Sequence, residues 1–421
     1  RMLEDLPHVG AVVAGDDAER VTRVLRMLRG IVDDRSVRYA AVRAGTIGEY
    51  RSLAGAPQEP RILLLVDGIG AFRDEYDLKA TPWFPVWAAF SQLATDGRQV
   101  GVHVIITGDR PSAVPTSLGS TIQRRLVLRL ANPDDYLMVG VPRDVLTPAS
   151  PPGRGVLAGN EVQVAVLGGD ANVSIQSREI SRLRDAMVRN GVPQAPSIEK
   201  LPDSIPLSSL PASVGGAPVI GLDDLDIAPV TLPERGTFLL GGPPVGGRTT
   251  ALVTIAQAVR RARPGTRIVY FSPRPTPISA LPVWDTAATS PEEIVPVVES
   301  IKAQAEGGQL GRGDLVLVVE NLTELTGTPA ESVLDKLVQV LVRTDQLVVG
   351  ESESSTWSQA WTLAKPFKAG RSGLILTPGD TDGDILLGTS LGRIRRAEFP
   401  AGRGFLVVSG RSRKVQIALP E

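Results

Sequence analysis

The chain has 421 residues, of which 45 are basic and 46 acidic, so its formal net charge is −1. The 42% hydrophobic and 22% charged residues are typical of globular domains, and the length predicts two or three of them. With no cysteine and only two histidines, the composition excludes disulfides, thiolate catalysis and cysteine- or histidine-rich metal sites.

Membrane insertion and secretion have no signal in the sequence. No apolar run approaches the roughly 18 residues that a spanning helix needs, and the start has no secretory pattern. The chain begins at Arg1 rather than at methionine, so we expect it to be part of a longer protein. The even charge balance gives no global basic bias of the kind that nucleic-acid-binding proteins show.

The first half of the chain alternates between helical and strand patterns. The pair Asp16-Asp17 can cap a helix whose apolar residues continue at helical spacing as far as Val32. Apolar runs predict strands over residues 62–66 and 102–107, and the first run, apolar on both faces, is typical of a buried parallel strand. Strands separated by helical patterns predict an α/β sheet.

Residues 171–212 interrupt this alternation. A polar helix predicted over residues 177–190 leads into a run of spaced prolines, which is typical of a linker. We therefore expect a first domain over residues 1–170, a helical and proline-rich linker over 171–212, and a second domain over 213–421.

The two halves repeat the same signals in the same order. The strand that ends at Asp67 matches residues 315–319, which end at Glu320, and the two segments Pro152–Gly155 and Ala401–Gly404 match each other. A tandem duplication explains this order. By the repeat offset, the first-half counterpart of the loop at residues 242–249 would precede Arg1. We therefore expect the first domain to lack its N-terminal phosphate loop.

Residues 242–249 fit the phosphate-loop pattern G-x-x-x-x-G-K-[ST] with one substitution, because Arg248 stands at the lysine position. A strand over 237–240 and a helix over 249–263 give the context that this motif requires. Glycines let N–H groups turn towards an anion, and the helix N-terminus adds its positive end. The predicted nucleotide-binding residues are Gly242, Pro243, Pro244, Val245, Gly246, Gly247, Arg248, Thr249 and Thr250.

Three interpretations of this loop stay open, because Arg248 stands where the motif has lysine. Arginine keeps the positive charge, but its wide planar fork would crowd the space over the β and γ phosphates. The loop is then either an intact ATP site, with Thr249 offering its hydroxyl to Mg²⁺, or a vestigial one. An unrelated glycine-rich turn is the third possibility.

Acidic residues follow the matching strands of both halves. Asp67 and Glu320 occupy the Walker B position, where a carboxylate supports Mg²⁺ at the edge of a parallel sheet. The next residue normally supplies a carboxylate that orients the attacking water, but here it is Gly68 or Asn321, and neither accepts a proton. The catalytic positions are therefore degenerate, and the sequence leaves open whether the chain is an enzyme.

These segments together resemble the FtsK/SpoIIIE-type motor ATPases, and among them most closely the C-terminal tandem ATPase domains of the EccC/EssC proteins of type VII secretion. The resemblance covers almost the whole chain. The most specific segments are Leu6-Pro-His-Val-Gly10, Arg61-Ile-Leu-Leu-Leu-Val-Asp-Gly68, Arg110-Pro111, Arg125-Leu-Val-Leu-Arg129, Val219-Ile-Gly-Leu-Asp223, Leu239-Leu-Gly-Gly-Pro-Pro244 and the two Gly-Arg-Gly segments.

The resemblance implies an α/β fold of tandem P-loop NTPase (RecA-like, FtsK-type) domains, with parallel-sheet cores flanked by helices. It implies ATP and Mg²⁺ as cofactors, a ring-forming homo-oligomer in the full-length protein, and a place at the cytoplasmic face of the bacterial inner membrane, anchored by an upstream segment. The implied partners are small WXG-type helical-hairpin substrates, other ATPase domains of the same chain and other components of the secretion machine.

In this family the later ATPase domains are often degenerate and recognise substrate or regulate the first one. The resemblance therefore implies nucleotide binding with weak or no hydrolysis. Two alternatives stay open: a non-catalytic interaction scaffold that has lost nucleotide binding, and an FtsK-type double-stranded DNA translocase. The net charge of −1 counts against DNA as a partner.

Trp357 and Trp361 are candidates for a substrate site. Their i, i+4 spacing would place both rings on one helix face, where they could line a groove for an apolar signal helix. The same spacing also suits a pair packed in the core against the sheet.

Overall fold

The computed structural model describes residues 2–77, 85–392 and 394–421. The chain divides into two compact units, residues 1–199 and residues 200–421. The division falls inside the segment 171–212 that the sequence analysis assigns to a linker. Leu207 and Leu210, from the proline-spaced part of that segment, are buried in the core of the second unit. The domain limits drawn from the sequence stay a prediction.

The first unit contains helices and short strands in alternation. In chain order they are α1 (Ala18–Ala41), α2 (Ile47–Leu53), β1 (Ile62–Val66), α3 (Ile69–Tyr76), α4 (Val86–Asp96), β2 (Val102–Ile106), α5 (Thr116–Thr121), β3 (Leu126–Leu128), α6 (Asp135–Met138), β4 (Arg154–Leu157), β5 (Asn160–Gln163) and α7 (Val173–Arg189).

Helix α1 begins as the sequence predicts. The Asp17 side chain accepts a hydrogen bond from the Arg20 N–H at 3.2 Å, which caps one of the unpaired donors of the first turn. The apolar stripe of α1 is buried from Val21 to Val32 and packs on α4. Burial of this stripe, rather than helix propensity, holds α1 in place.

Strands β1 and β2 form a parallel pair, and β3, β4 and β5 form a separate antiparallel sheet. The parallel pairing confirms the strand type predicted for residues 62–66, but the expectation of burial on both faces is wrong. Leu63 and Leu65 are 56% and 64% exposed because no described element packs against that face of β1.

The second unit is larger and more regular. Its elements are β6 (Ser213–Val214), β7 (Ala217–Asp223), β8 (Pro229–Thr231), β9 (Gly236–Gly241), α8 (Arg248–Ala262), β10 (Arg267–Phe271), β11 (Thr286–Ala288), α9 (Pro291–Glu306), β12 (Leu315–Val319), α10 (Ala330–Arg343), β13 (Leu347–Glu351), α11 (Trp361–Gly370), β14 (Gly373–Leu376), α12 (Asp382–Leu387), β15 (Arg403–Val408) and β16 (Arg411–Ile417).

One continuous sheet organises the second unit, in the order β11-β10-β12-β13-β9-β14-β15-β16-β7-β6, with β8 paired to β7. Strands from β11 to β14 run parallel, and β14, β15, β16 and β7 are joined by antiparallel pairings. Strand β13 therefore lies between β9 and β12. The carboxyl ends of these three strands meet at one edge, which is where ligands bind in open α/β sheets.

Both faces of the parallel part are covered. Apolar residues of α8 pack on one face, and apolar residues of α9, α10 and α11 pack on the other. The stripe predicted for the helix after the loop is buried, from Leu252 to Val259. These layers confirm the α/β fold with a helix-flanked parallel core. Within the described residues, no helix has the length and apolarity that crossing a bilayer would require.

Candidate nucleotide site

The loop between β9 and α8 has the backbone shape of a phosphate loop. Val245 and Gly247 adopt positive φ angles of 63° and 95°. A Cβ on Gly247 would lie 3.0 Å from the backbone nitrogen of Gly402, so the position combines a left-handed conformation with a close approach that only glycine meets without strain. The Gly246 N–H donates to the Pro243 carbonyl at 3.2 Å and closes the turn.

The first turn of α8 leaves its N–H groups free. In the described part of the chain, the backbone N–H groups of Gly247, Arg248, Thr249 and Thr250 donate to no other protein group. These are the four donors that an α-helix cannot satisfy internally, and here they follow a glycine-rich turn. Thr249 is exposed, and its hydroxyl has no hydrogen-bond partner among the described residues. The loop therefore offers an anion-binding nest.

The Arg248 side chain turns to a carboxylate that the sequence analysis did not single out. Its guanidinium forms an ion pair with Glu351, the last residue of β13. The two side chains are 17% and 2% exposed. Strand order explains the contact, because β13 pairs with β9 and places Glu351 opposite Leu240, just before the loop.

Glu351 is buried and has two partners. Besides Arg248, it accepts a hydrogen bond at 2.9 Å from the Asn321 N–H. Burial raises the pKa of the Glu351 carboxyl above its ordinary value, although Arg248 and the Asn321 N–H act in the opposite direction. The nearby Glu320 carboxylate also raises this pKa. The signal for Glu351 in the sequence is the same as for Glu320: an acid that ends an apolar strand.

Glu320 follows β12 and is also buried, but its partners lie on the other side. Its Oε2 accepts a hydrogen bond from the Tyr270 hydroxyl and another, at 2.7 Å, from the Thr276 hydroxyl. Tyr270 is in β10, and its ring stacks on Trp284 with centroids 4.7 Å apart. Burial and the Glu320 hydrogen bond raise the pKa of Tyr270, so it stays a donor. Sequence reasoning missed both Tyr270 and Thr276.

The donor set fits Mg²⁺ only in part. Among the described residues, no three His, Cys, Asp or Glu side chains cluster closely enough to hold a metal ion. Mg²⁺ at phosphate sites commonly uses one or two protein ligands besides substrate oxygens and water. Thr249 can supply one such ligand, whereas the Glu320 oxygen bound to Tyr270 and Thr276 is already engaged.

Asn321 and Gly68 occupy equivalent positions in the two units. Both adopt left-handed backbone conformations, with φ of 50° and 75°. The Gly68 N–H donates to the Thr107 hydroxyl at 2.9 Å, just as the Asn321 N–H donates to Glu351. Glycine and asparagine tolerate this conformation better than other residues. In both units, therefore, the residue after the acid, Asp67 or Glu320, makes a backbone bridge and offers no carboxylate.

The first unit completes this bridge with a different side chain. The Thr107 hydroxyl donates to Asp67 at 2.6 Å, so the acid is satisfied by the neighbouring strand end. The strand registers make Thr107 the counterpart of Glu351, since Leu63 pairs with His103 and Val316 pairs with Leu347.

The Gly-Arg-Gly segments also share their contacts. Arg154 donates through Nε to Gln163 at 3.0 Å, and Arg403 donates through Nε to Gln416 at 3.1 Å. In the second unit this segment supports the loop, because the Gly402 N–H donates to the Gly246 carbonyl at 3.2 Å.

The two tryptophans do not share an exposed face. Trp357 is fully buried, packs on Phe367 with ring centroids 5.6 Å apart, and donates to the Ser352 carbonyl at 3.3 Å. Trp361 is 79% exposed at the start of α11. Trp357 precedes α11 and lies in a turn, so the helical spacing does not apply. The structure contradicts an open groove at Trp357 and confirms the alternative, packing in the core.

No protein-family model matches the chain. Among curated proteins, it is 25% identical to the ESX-4 secretion system protein EccC4 of Mycobacterium tuberculosis, over 99% of this chain and 34% of that protein. It is 27% identical to the ESX-1 secretion system protein EccCb1 of Mycolicibacterium smegmatis, over 61% of this chain and 45% of that protein. The chain thus spans less than half of the length of these relatives.

Two solved structures share the fold over the whole chain. One is Thermomonospora curvata EccC (ATPases 2 and 3) in complex with a signal sequence peptide, with a TM-score of 0.71, 22% identity and 80% of that chain covered. The other is EssC (ATPases 2 and 3) from Geobacillus thermodenitrificans, with a TM-score of 0.75, 19% identity and 83% covered. The chain is homologous to EccC proteins of ESX secretion systems and has the fold of ATPases 2 and 3 of EccC and EssC.

Proposed function

We propose that this homologue of the EccC/EssC ATPases is an ATP-binding module of a type VII secretion motor, with little or no hydrolysis of its own. The observation that carries the proposal is the loop at residues 242–250, whose first-turn N–H groups are free to receive phosphate oxygens. Thr249 would contribute its hydroxyl to the Mg²⁺ that accompanies the nucleotide, which neutralises phosphate charge.

Weak hydrolysis follows from the residues near the loop. Phosphoryl transfer to water needs a group that orients or deprotonates the attacking water. Asn321 has no carboxylate, Glu320 is engaged by Tyr270 and Thr276, and Glu351 is engaged by Arg248. Binding would therefore act as a structural or regulatory signal.

We propose further that the first unit is an ATPase domain without its N-terminal phosphate-loop part. The proposed limits are a first domain over residues 1–170, a linker over 171–212 and a second domain over 213–421. Leu63 and Leu65 are exposed, whereas their second-unit counterparts Val316 and Val318 are buried in the cluster that includes α8. A strand, loop and helix like β9–α8 would cover this face.

In the secretion machine, we propose that the chain helps to recognise or regulate export of small helical-hairpin substrates, at the cytoplasmic face of the inner membrane and in a ring of full-length subunits. The structural neighbour from Thermomonospora curvata, in complex with a signal sequence peptide, supports a signal segment as the ligand class. Trp361 is a candidate contact, because a large exposed aromatic side chain favours a binding role.

Calorimetric titration of the whole chain with Mg-ATP tests nucleotide binding, and phosphate release tests turnover. We expect binding, with turnover far below the typical enzyme rate of about 10 per second. Gly247→Ala should abolish ATP binding. Gly308→Ala is the control and should leave binding unchanged, because Gly308 also has a positive φ but lies outside the loop. Binding that survives Gly247→Ala would remove the loop from the proposal.

Fluorescence anisotropy with labelled signal segments of helical-hairpin substrates tests recognition. Trp361→Ala should weaken binding about tenfold, as expected when an aromatic anchor is lost. The control is Val37→Ala in α1, because Val37 is 72% exposed in the first unit. Equal affinity for both variants would exclude Trp361 from the substrate site.

A second candidate function, a scaffold without nucleotide, is supported by the Arg248–Glu351 ion pair. In this pair the Arg248 guanidinium is bound by a carboxylate of the protein and not by a nucleotide phosphate. Absence of any heat of binding with Mg-ATP, for wild type and for every variant that releases Arg248, would favour the scaffold.

A further inference from the structure

Glu351 ends β13 beside the phosphate loop, and its role differs from that of a Walker B acid. It is the residue that Arg248 contacts, and it is almost completely shielded from solvent. We propose that Glu351 is a built-in competitor of nucleotide phosphate for Arg248, and that it sets the ATP affinity of the loop. This inference rests on the proposed function and assigns a residue that controls ligand affinity at the same site.

The geometry gives Glu351 two effects on an incoming nucleotide. First, the cation at the lysine position of the loop is already paired, so phosphate must displace Glu351 or share Arg248 with it. Second, an ionised carboxylate at the edge of the site repels a polyanion. Both effects weaken binding, and removal of the Glu351 charge relieves both.

Glu351 is held where it competes. The Asn321 N–H fixes its Oε2 at 2.9 Å, and β13 is paired on both sides, to β9 and to β12. These contacts hold the carboxylate beside Arg248. Arg248 is less enclosed, at 17% exposed, so its guanidinium can reorient.

The first unit shows that this fold does not require a carboxylate here. Thr107 occupies the equivalent position and accepts the same backbone hydrogen bond, from Gly68, through a hydroxyl. A charge at residue 351 is therefore dispensable for the bridge between the two strand ends. The charge is matched to Arg248 instead.

The test compares ATP dissociation constants for the wild-type chain, Glu351→Gln and Glu351→Thr by calorimetry, with Mg²⁺ present. Glutamine keeps the shape and threonine copies Thr107, so each retains an acceptor for the Asn321 N–H. We expect both variants to bind ATP about tenfold more tightly than wild type, the size expected for releasing one charged hydrogen-bonding partner. A substitution that only damaged the structure would weaken binding.

Glu324→Gln is the matched control. Glu324 also pairs with an arginine, Arg274, but both side chains are well exposed. Its ATP affinity should equal that of wild type. Thermal unfolding without nucleotide, measured for every variant, identifies any that fail to fold, and a folded Glu351→Thr alone suffices for the comparison.

The outcomes distinguish the competitor role of Glu351 from the underlying proposal that the loop binds ATP. Tighter ATP binding by the Glu351 variants supports the competitor role. This holds even if the wild-type chain binds ATP too weakly to measure. Measurable wild-type binding with equal or weaker binding by the variants overturns the role of Glu351 and leaves ATP binding intact. No binding by wild type or any folded variant overturns the proposed function, and the role of Glu351 with it.

Discussion

The same junction of two parallel strands occurs in both units with different chemistry. In each, a left-handed residue after the acid donates its N–H to a side chain at the carboxyl end of the neighbouring strand. In the first unit this side chain is Thr107, directly after β2, and its hydroxyl donates to Asp67. In the second unit it is Glu351, the last residue of β13, which as a carboxylate has no proton to donate to Glu320.

This difference teaches how a single residue redistributes the polar contacts around it. Two carboxylates at one edge repel each other, and each needs its own donor. Glu351 pairs with Arg248 of the phosphate loop. Glu320 accepts hydrogen bonds from Tyr270 and Thr276 on the opposite side. The bridge between the strand ends is common to both units, whereas in the second unit Arg248, at the lysine position of the loop pattern, is paired with a carboxylate of the protein itself.

Loss of Arg248 should have the largest effect on stability. Arg248→Ala leaves Glu351 buried beside Glu320 without its cation, and breaking a buried pair in this way typically costs about 3–5 kcal/mol. Urea unfolding of the whole chain measures the change. Arg235→Ala is the control, because the Arg235–Asp345 pair is exposed and should contribute below about 1 kcal/mol.

A double variant separates charge from packing at this pair. Arg248→Ala combined with Glu351→Gln should recover most of the lost stability, since no uncompensated charge is then buried. If the double variant were as unstable as Arg248→Ala alone, packing of the Arg248 side chain rather than the unpaired carboxylate would account for the loss.

A smaller effect is expected where a hydroxyl donor to an acid is removed. Tyr270→Phe takes one donor from the buried Glu320 and should cost about 1–3 kcal/mol, because Thr276 remains as the second donor. Thr107→Val makes the same kind of change in the first unit, where Asp67 and Thr107 are exposed and water replaces the lost bond. Equal losses in urea unfolding would contradict the contrast between the two junctions.

Local sequence patterns predict much of the fold. The apolar runs at residues 62–66 and 315–319 match β1 and β12, and the loop sequence is followed by α8 as its motif requires. These features depend on residues close together in the chain, where periodicity and glycine placement act directly.

The contacts of the site depend on strand order, which local patterns do not contain. Arg248 and Glu351 are 103 positions apart, and they meet only because β13 lies beside β9. The i, i+4 spacing of Trp357 and Trp361 predicts a shared helix face only if both residues are helical. Helix α11 begins at Trp361, so Trp357 lies outside it. The acid that ends β13 was visible in the sequence, but its partner was not.

A further expected effect concerns the pH dependence of stability and a carboxylate of the first unit. Glu59 accepts hydrogen bonds from Arg38 and forms an ion pair with Arg35 at 2.9 Å, and its side chain is 13% exposed. The Arg38 hydrogen bonds, helped by the Arg35 charge, hold the pKa of Glu59 below its ordinary value of 4.5 despite partial burial.

A carboxyl whose pKa is lower in the folded chain binds fewer protons there than in the unfolded chain. Its stabilising contribution is therefore complete above its ordinary pKa and is lost as the pH falls through the lower, folded value. Glu59→Gln should lower the free energy of unfolding at pH 7 and flatten its decline below about pH 5. Glu161→Gln, which removes half of the exposed Arg154–Glu161 pair, should leave the pH profile of wild type. A Glu59→Gln profile parallel to wild type would mean that other carboxylates control the acid sensitivity of the first unit.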